Sequence, residues 1–160
     1  MNLDKPVGFF LFDYAWVFFI LITLINAFIL KVRAARAIRD QPELRVGYDQ
    51  LFKGYILFMN IPWVLMGIGM LVGGVPSTFT YLYPRGGNPF VIAFHISVVI
   101  LWLLSIWWIY FRGGAEFLVK YKGVFRQDIS SPILIKVMFA LMLVGGIFGM
   151  TIMWSIPGAF

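Results

Sequence analysis

Apolar residues run along this chain in four long stretches that hold almost no charge, and the polar residues gather in the short connections between them. The stretches cover residues 9–32, 51–72, 89–111 and 132–154. A helix needs about 20 such residues to cross roughly 30 Å of hydrocarbon, so each stretch predicts one transmembrane helix. Asp49 reads as an N-cap ahead of the second stretch, and Gly73 and Gly74 close it. Asn88 followed by Pro89 opens the third, and Ser131 followed by Pro132 opens the fourth in the same way. The expected fold is therefore an all-α integral membrane protein, a single domain of four antiparallel transmembrane helices packed as a bundle.

The connections differ in character. Residues 33–50 begin with an Ala- and Arg-rich run that extends the first helix beyond the membrane and stops before Pro42. Residues 112–131 mix Phe117, Leu118, Tyr121, Val124 and Phe125 with charges, which predicts a short helix lying in the headgroup layer. Residues 73–88 alternate aromatic and small polar residues between Pro76 and Pro89, the pattern of an ordered lid. Both halves of the chain follow one plan, an apolar helix, a basic connection and a glycine-rich return helix, with Lys53 and Lys136 at comparable points. Either a duplicated hairpin with a parallel repeat or two independently apolar hairpins gives this pattern.

Charge orients the predicted bundle. Of 13 Lys and Arg residues, only Lys5 and Arg85 lie outside the two basic connections and their flanks. The positive-inside rule then places those connections in the cytoplasm and both termini and the lid on the other face, as in a bacterial-type cytoplasmic membrane. No basic n-region precedes the first stretch, so that helix is expected to remain as an anchor. The net charge of +6 matches anionic headgroups beside the spans and calls for no nucleic acid.

Composition narrows the chemistry. Of 160 residues, 61% are hydrophobic and 12% charged, with a mean hydropathy of +0.90, which excludes a water-soluble monomer. The chain has no cysteine and one histidine. Thiol catalysis, Cys-ligated metals and two-His motifs are thereby excluded. No phosphate-cradling glycine loop with its Lys and no nucleophile, base and carboxylate set occurs.

The remaining candidates are the few polar residues inside the spans. Asp13 and His95, at depths of about 6 and 9 Å by helical rise, form an expected outer-leaflet cluster with Tyr14 and Thr151, in which a carboxylate holds an imidazole. His95 could also ligate a haem or a chlorophyll magnesium, as a five-coordinate site or with a second chain donating the other imidazole. Asn26 and Asn60, at depths of about 9 and 14 Å from the other face, are placed to hydrogen-bond between the first two helices beside a kink at Pro62. Gly69 and Gly73, and Gly145 and Gly149, allow close helix approach. Much helix surface and little chemistry favour a non-enzymatic subunit or assembly partner of a larger membrane complex. A homo-oligomeric channel or small transporter lined by Asn26, Asn60, Ser97 or Ser105 is the second expectation, and a single-His tetrapyrrole subunit the third.

Overall fold

The computed structural model describes residues 13–121, 124 and 129–157, and within them every regular element is helical. Five α-helices follow in order: α1 (Ala15–Asp40), α2 (Arg45–Leu71), α3 (Pro89–Ile106), α4 (Gly114–Lys120) and α5 (Pro132–Ser155). The four long ones, with α3 counted through its continuation to Phe111, are long and apolar enough to cross a membrane. This is the pattern of a multi-pass membrane protein. The residues before Asp13, including the expected start of the first span and Lys5, lie outside the described residues, as do Lys122, Phe125 and Arg126.

Local chemistry accounts for most helix ends. α1 runs on to Asp40 through Ala34, Ala35 and Ala37. Pro42 then disfavours helical geometry at Gln41, whose backbone leaves the helical region (φ −140°, ψ 84°). A 3₁₀ turn at Pro42–Leu44 leads directly into α2. The second helix thus starts six residues ahead of the expected position 51, and Asp49 lies inside it rather than capping it. Pro42 supplies the start signal that Asp49 does not. Asn88 accepts from the Phe90 amide at 2.9 Å and Ser131 from the Leu134 amide at 3.4 Å, so both expected N-caps form. α2 continues through Pro62 as one helix.

α3 does not end as a plain α-helix. It passes into a π-helical turn, Trp107–Phe111, after which Gly113 (φ +71°) reverses the chain into α4. The Tyr110 hydroxyl donates to the Lys136 carbonyl at 2.7 Å, and Ile109 is buried with Ala115 and Ile135. The π turn, α4 and the start of α5 are joined there.

Packing follows chain order. α1 lies along α2, and α2 along α3. At the end bearing the basic connections, Ala34, Leu44, Tyr48 and Tyr121 form one buried cluster. The Tyr121 ring fills the space beside Gly47 that a Cβ would take. The two basic connections are thus packed on each other. At the opposite end Met66, Val75, Tyr81 and Val91 form a second cluster under the lid. Lid residues Thr78–Leu82 and Pro84–Gly86 form 3₁₀ turns, as expected of an ordered segment. α5 is the least covered span, with Ile135 its only buried residue.

Candidate functional site

The lid end brings aromatic side chains from all four spans together around His95. Phe19 of α1 stacks on Trp63 of α2 with centroids 4.1 Å apart. Trp63 stands 6.2 Å from Phe94 of α3, which meets Tyr81 of the lid edge-on at 5.2 Å. Phe94 also meets His95 at 5.5 Å, and His95 meets Trp154 of α5 at 5.9 Å. One continuous series of rings therefore touches all four spans. Edge-to-face pairs of this kind contribute roughly 0.5–1.5 kcal/mol each beyond area burial.

The lid is tied to this series by hydrogen bonds. The Tyr81 hydroxyl donates to the Met66 carbonyl at 2.9 Å, and Asn88 Nδ2 donates to the Gly73 carbonyl at 3.2 Å. Gly69 leaves room for the Tyr81 hydroxyl and the Phe90 side chain, and Gly73 for the Phe90 ring. Gly67, on the other side of α2, receives Trp16 of α1, 2.7 Å from where a Cβ would stand. The two close-contact faces of α2 serve α1 on one side and α3 with the lid on the other. Burial raises the Tyr81 pKa to about 12 by disfavouring its phenolate.

His95 lies within the ring series and is 2% exposed. Its Nδ1 is 3.2 Å from the Val91 carbonyl oxygen. A carbonyl only accepts, so the proton in that bond belongs to Nδ1 and Nε2 is left with a free lone pair. Nε2 is buried and has no hydrogen-bond partner. No hydrogen bond joins Nε2 to Asp13, Tyr14 or Thr151, and the Thr151 hydroxyl donates to the Ile147 carbonyl of its own helix at 2.8 Å. An axial ligand to a haem or chlorophyll needs an open slot beside Nε2. That atom is covered, and a tetrapyrrole bound there would need the covering side chains displaced.

The deeper polar pair is also separated. Asn60 Nδ2 donates to the Ile56 carbonyl at 2.7 Å, while its Oδ1 is buried and unpartnered. Asn26 is exposed on α1. The hydrogen bond expected between them is absent because α1 turns Thr23, Ala27, Leu30 and Ala34, not Asn26, into its packed face. The Ser97 hydroxyl donates to the Phe94 carbonyl of its own helix at 2.7 Å. Ser105 is half-buried.

The two glycine pairs have different surroundings. Among the described residues, a Cβ added at Gly145 or Gly149 would meet nothing within 4 Å. α5 instead docks through Gly146, whose added Cβ would lie 2.7 Å from the Trp102 ring. Among the described residues no group of His, Asp and Glu is placed to hold a metal ion. The ring series itself was not read from the sequence. Its signal was the spacing of aromatics in the lid, which marked order but not which rings would meet. At the other end, the Lys136 ammonium bonds Glu116 at 2.9 Å, and that hydrogen bond holds the Glu116 carboxyl below its ordinary range. In comparisons with protein-family models, curated proteins and solved structures, the chain matches none.

Proposed function

We propose that this chain is a non-enzymatic membrane subunit that assembles with other membrane-embedded protein, its four spans closing as an antiparallel bundle with both termini and the lid on the non-cytoplasmic side. One observation carries this reading: among the described residues, α5 buries only Ile135 and nothing stands against Gly145 and Gly149. Lipid chains cover leucine and phenylalanine well, but a glycine surface offers them few contacts. A second helix gains close backbone approach on the same surface. The orphaned atoms His95 Nε2 and Asn60 Oδ1 are closed off and set in no catalytic arrangement, which favours assembly over reaction.

The orientation rests on charge. Lys31 lies over Phe52 at 5.6 Å and Arg112 over Trp107 at 5.1 Å, both at the basic end, where amphipathic side chains reach toward anionic headgroups. Mild extraction from native membranes followed by mass measurement of the intact species tests the assembly. A mass greater than 18.3 kDa after subtraction of bound lipid is expected. A strict monomer that also yields no crosslinked partner in the membrane overturns it.

A further inference from the structure

Asn26 stands five residues, about 7.5 Å, from Lys31 and ten residues, about 15 Å, from Trp16 along α1, which puts it within the hydrocarbon of the span. It is exposed and makes no hydrogen bond with any described residue. Several other polar side chains in the spans return a hydrogen bond to their own helix: Thr23 to Phe19, Ser97 to Phe94, Thr151 to Ile147 and Asn60 to Ile56. Asn26 does not. An amide left unpaired in hydrocarbon is unfavourable, and no water is at hand there to satisfy it.

Rotation of α1 toward Asn60 does not relieve it. The packed residues Thr23, Ala27, Leu30 and Ala34 lie about 40–100° round the helix from Asn26. Their position is held by the Phe19–Trp63 stack and by Trp16 seated on Gly67. On the other flank of Asn26, about 40–100° round, are Ile22, Ile29, Phe18 and Ile25, exposed by 37, 39, 57 and 58%. A carboxamide has two donors and a two-lone-pair acceptor. Two Asn26 side chains facing each other across a two-fold axis therefore each donate to the other and accept from it, and one residue satisfies both.

We propose that a second copy of this chain covers this face of α1, with the two Asn26 side chains paired at a two-fold axis along the membrane normal. This rests on the assembly reading above and names one partner. Two copies inserted the same way share such an axis. Arg33 lies two turns further along nearly the same line. Its like charges part the two helices at the basic end and turn toward headgroup phosphates, so the close contact is the Ile22 to Ile29 segment. Anionic lipid strengthens the pair by neutralising that repulsion.

The absence of cysteine allows single-cysteine probes in the full chain, reconstituted at high dilution in vesicles containing phosphatidylglycerol. Ile22→Cys and Ile29→Cys are expected to crosslink between copies under mild oxidation. Leu24→Cys, 43% exposed but about 160° round from Asn26, is expected not to. Adding Asn26→Leu to Ile22→Cys raises the dimer dissociation constant about tenfold, equivalent to about 1.4 kcal/mol, and Asn26→Gln restores pairing. Equal crosslinking at Leu24→Cys, or an unchanged yield with Asn26→Leu, overturns the proposal. A chain that is monomeric in vesicles yet joins a foreign subunit in native membranes overturns the pairing alone and leaves the assembly reading. A chain monomeric in both overturns the two together.

Discussion

The Tyr81 hydroxyl bonds the Met66 carbonyl from a ring that is 2% exposed, so one side chain of the lid both fills the space beside Gly69 and anchors to α2. Tyr81→Phe keeps the ring and removes the hydroxyl, and is expected to lower stability by about 1 kcal/mol in thermal unfolding. The pH dependence has a definite sign. An unfolded tyrosine loses its proton near 10.0, whereas in the folded chain burial holds Tyr81 neutral up to about 12. Its contribution is therefore complete below about pH 10 and is lost as pH rises to about 12. The wild type is expected to lose lid order in that window, followed by tryptophan fluorescence, and the Tyr81→Phe variant to lose less. Single residues were also where sequence reading reached least far. His95 and Asp13 lie at neighbouring depths, which counting along a helix shows, but whether two side chains meet depends on how each helix is turned. That rotation is fixed by rings such as Trp63 and Trp154, whose partners no linear pattern reveals.

At the scale of elements, the glycines of α5 separate two roles. Gly146 faces Trp102 at 2.7 Å from an added Cβ, whereas Gly145 faces open space. Gly146→Val is therefore expected to force the Trp102 ring aside and cost about 1–3 kcal/mol in thermal unfolding. Gly145→Val is expected to leave unfolding of the isolated chain unchanged while reducing recovery of assembly partners. The reverse order of stability would place α5 in a different rotation. Number, type and most ends of the helices were legible in the sequence because span length, N-caps at Asn88 and Ser131 and the block at Pro42 are local effects. The π turn at Trp107–Phe111 was not. It is a departure of one residue per turn that hydrophobic periodicity in a uniformly apolar stretch does not register. The early start of α2 was missed for a related reason, since Asp49 resembles a cap wherever it precedes apolar residues.

At the scale of the whole molecule, the asymmetry of charge becomes a statement about insertion. Eleven of 13 Lys and Arg residues belong to the two basic connections and their flanks. Tyr48, Tyr121 and Ala34 pack these connections together, so they act as one basic end and not as two loops. At about 1 kcal/mol for each Lys or Arg beside an anionic leaflet, even part of that imbalance would favour the proposed orientation over its reverse. A packed basic end also resists crossing the membrane as a unit. Single cysteines introduced at Phe79, 47% exposed in the lid, and at Val46, 67% exposed at the basic end, report the result directly. A membrane-impermeant maleimide applied to intact bacterial cells expressing the chain is expected to label Phe79→Cys at once and Val46→Cys only after permeabilisation. The opposite pattern would mean that the basic end had been translocated. The headgroup contacts inferred for Lys31 and Arg112 would then lie on the wrong face, and the orientation proposed for the subunit would fall with them.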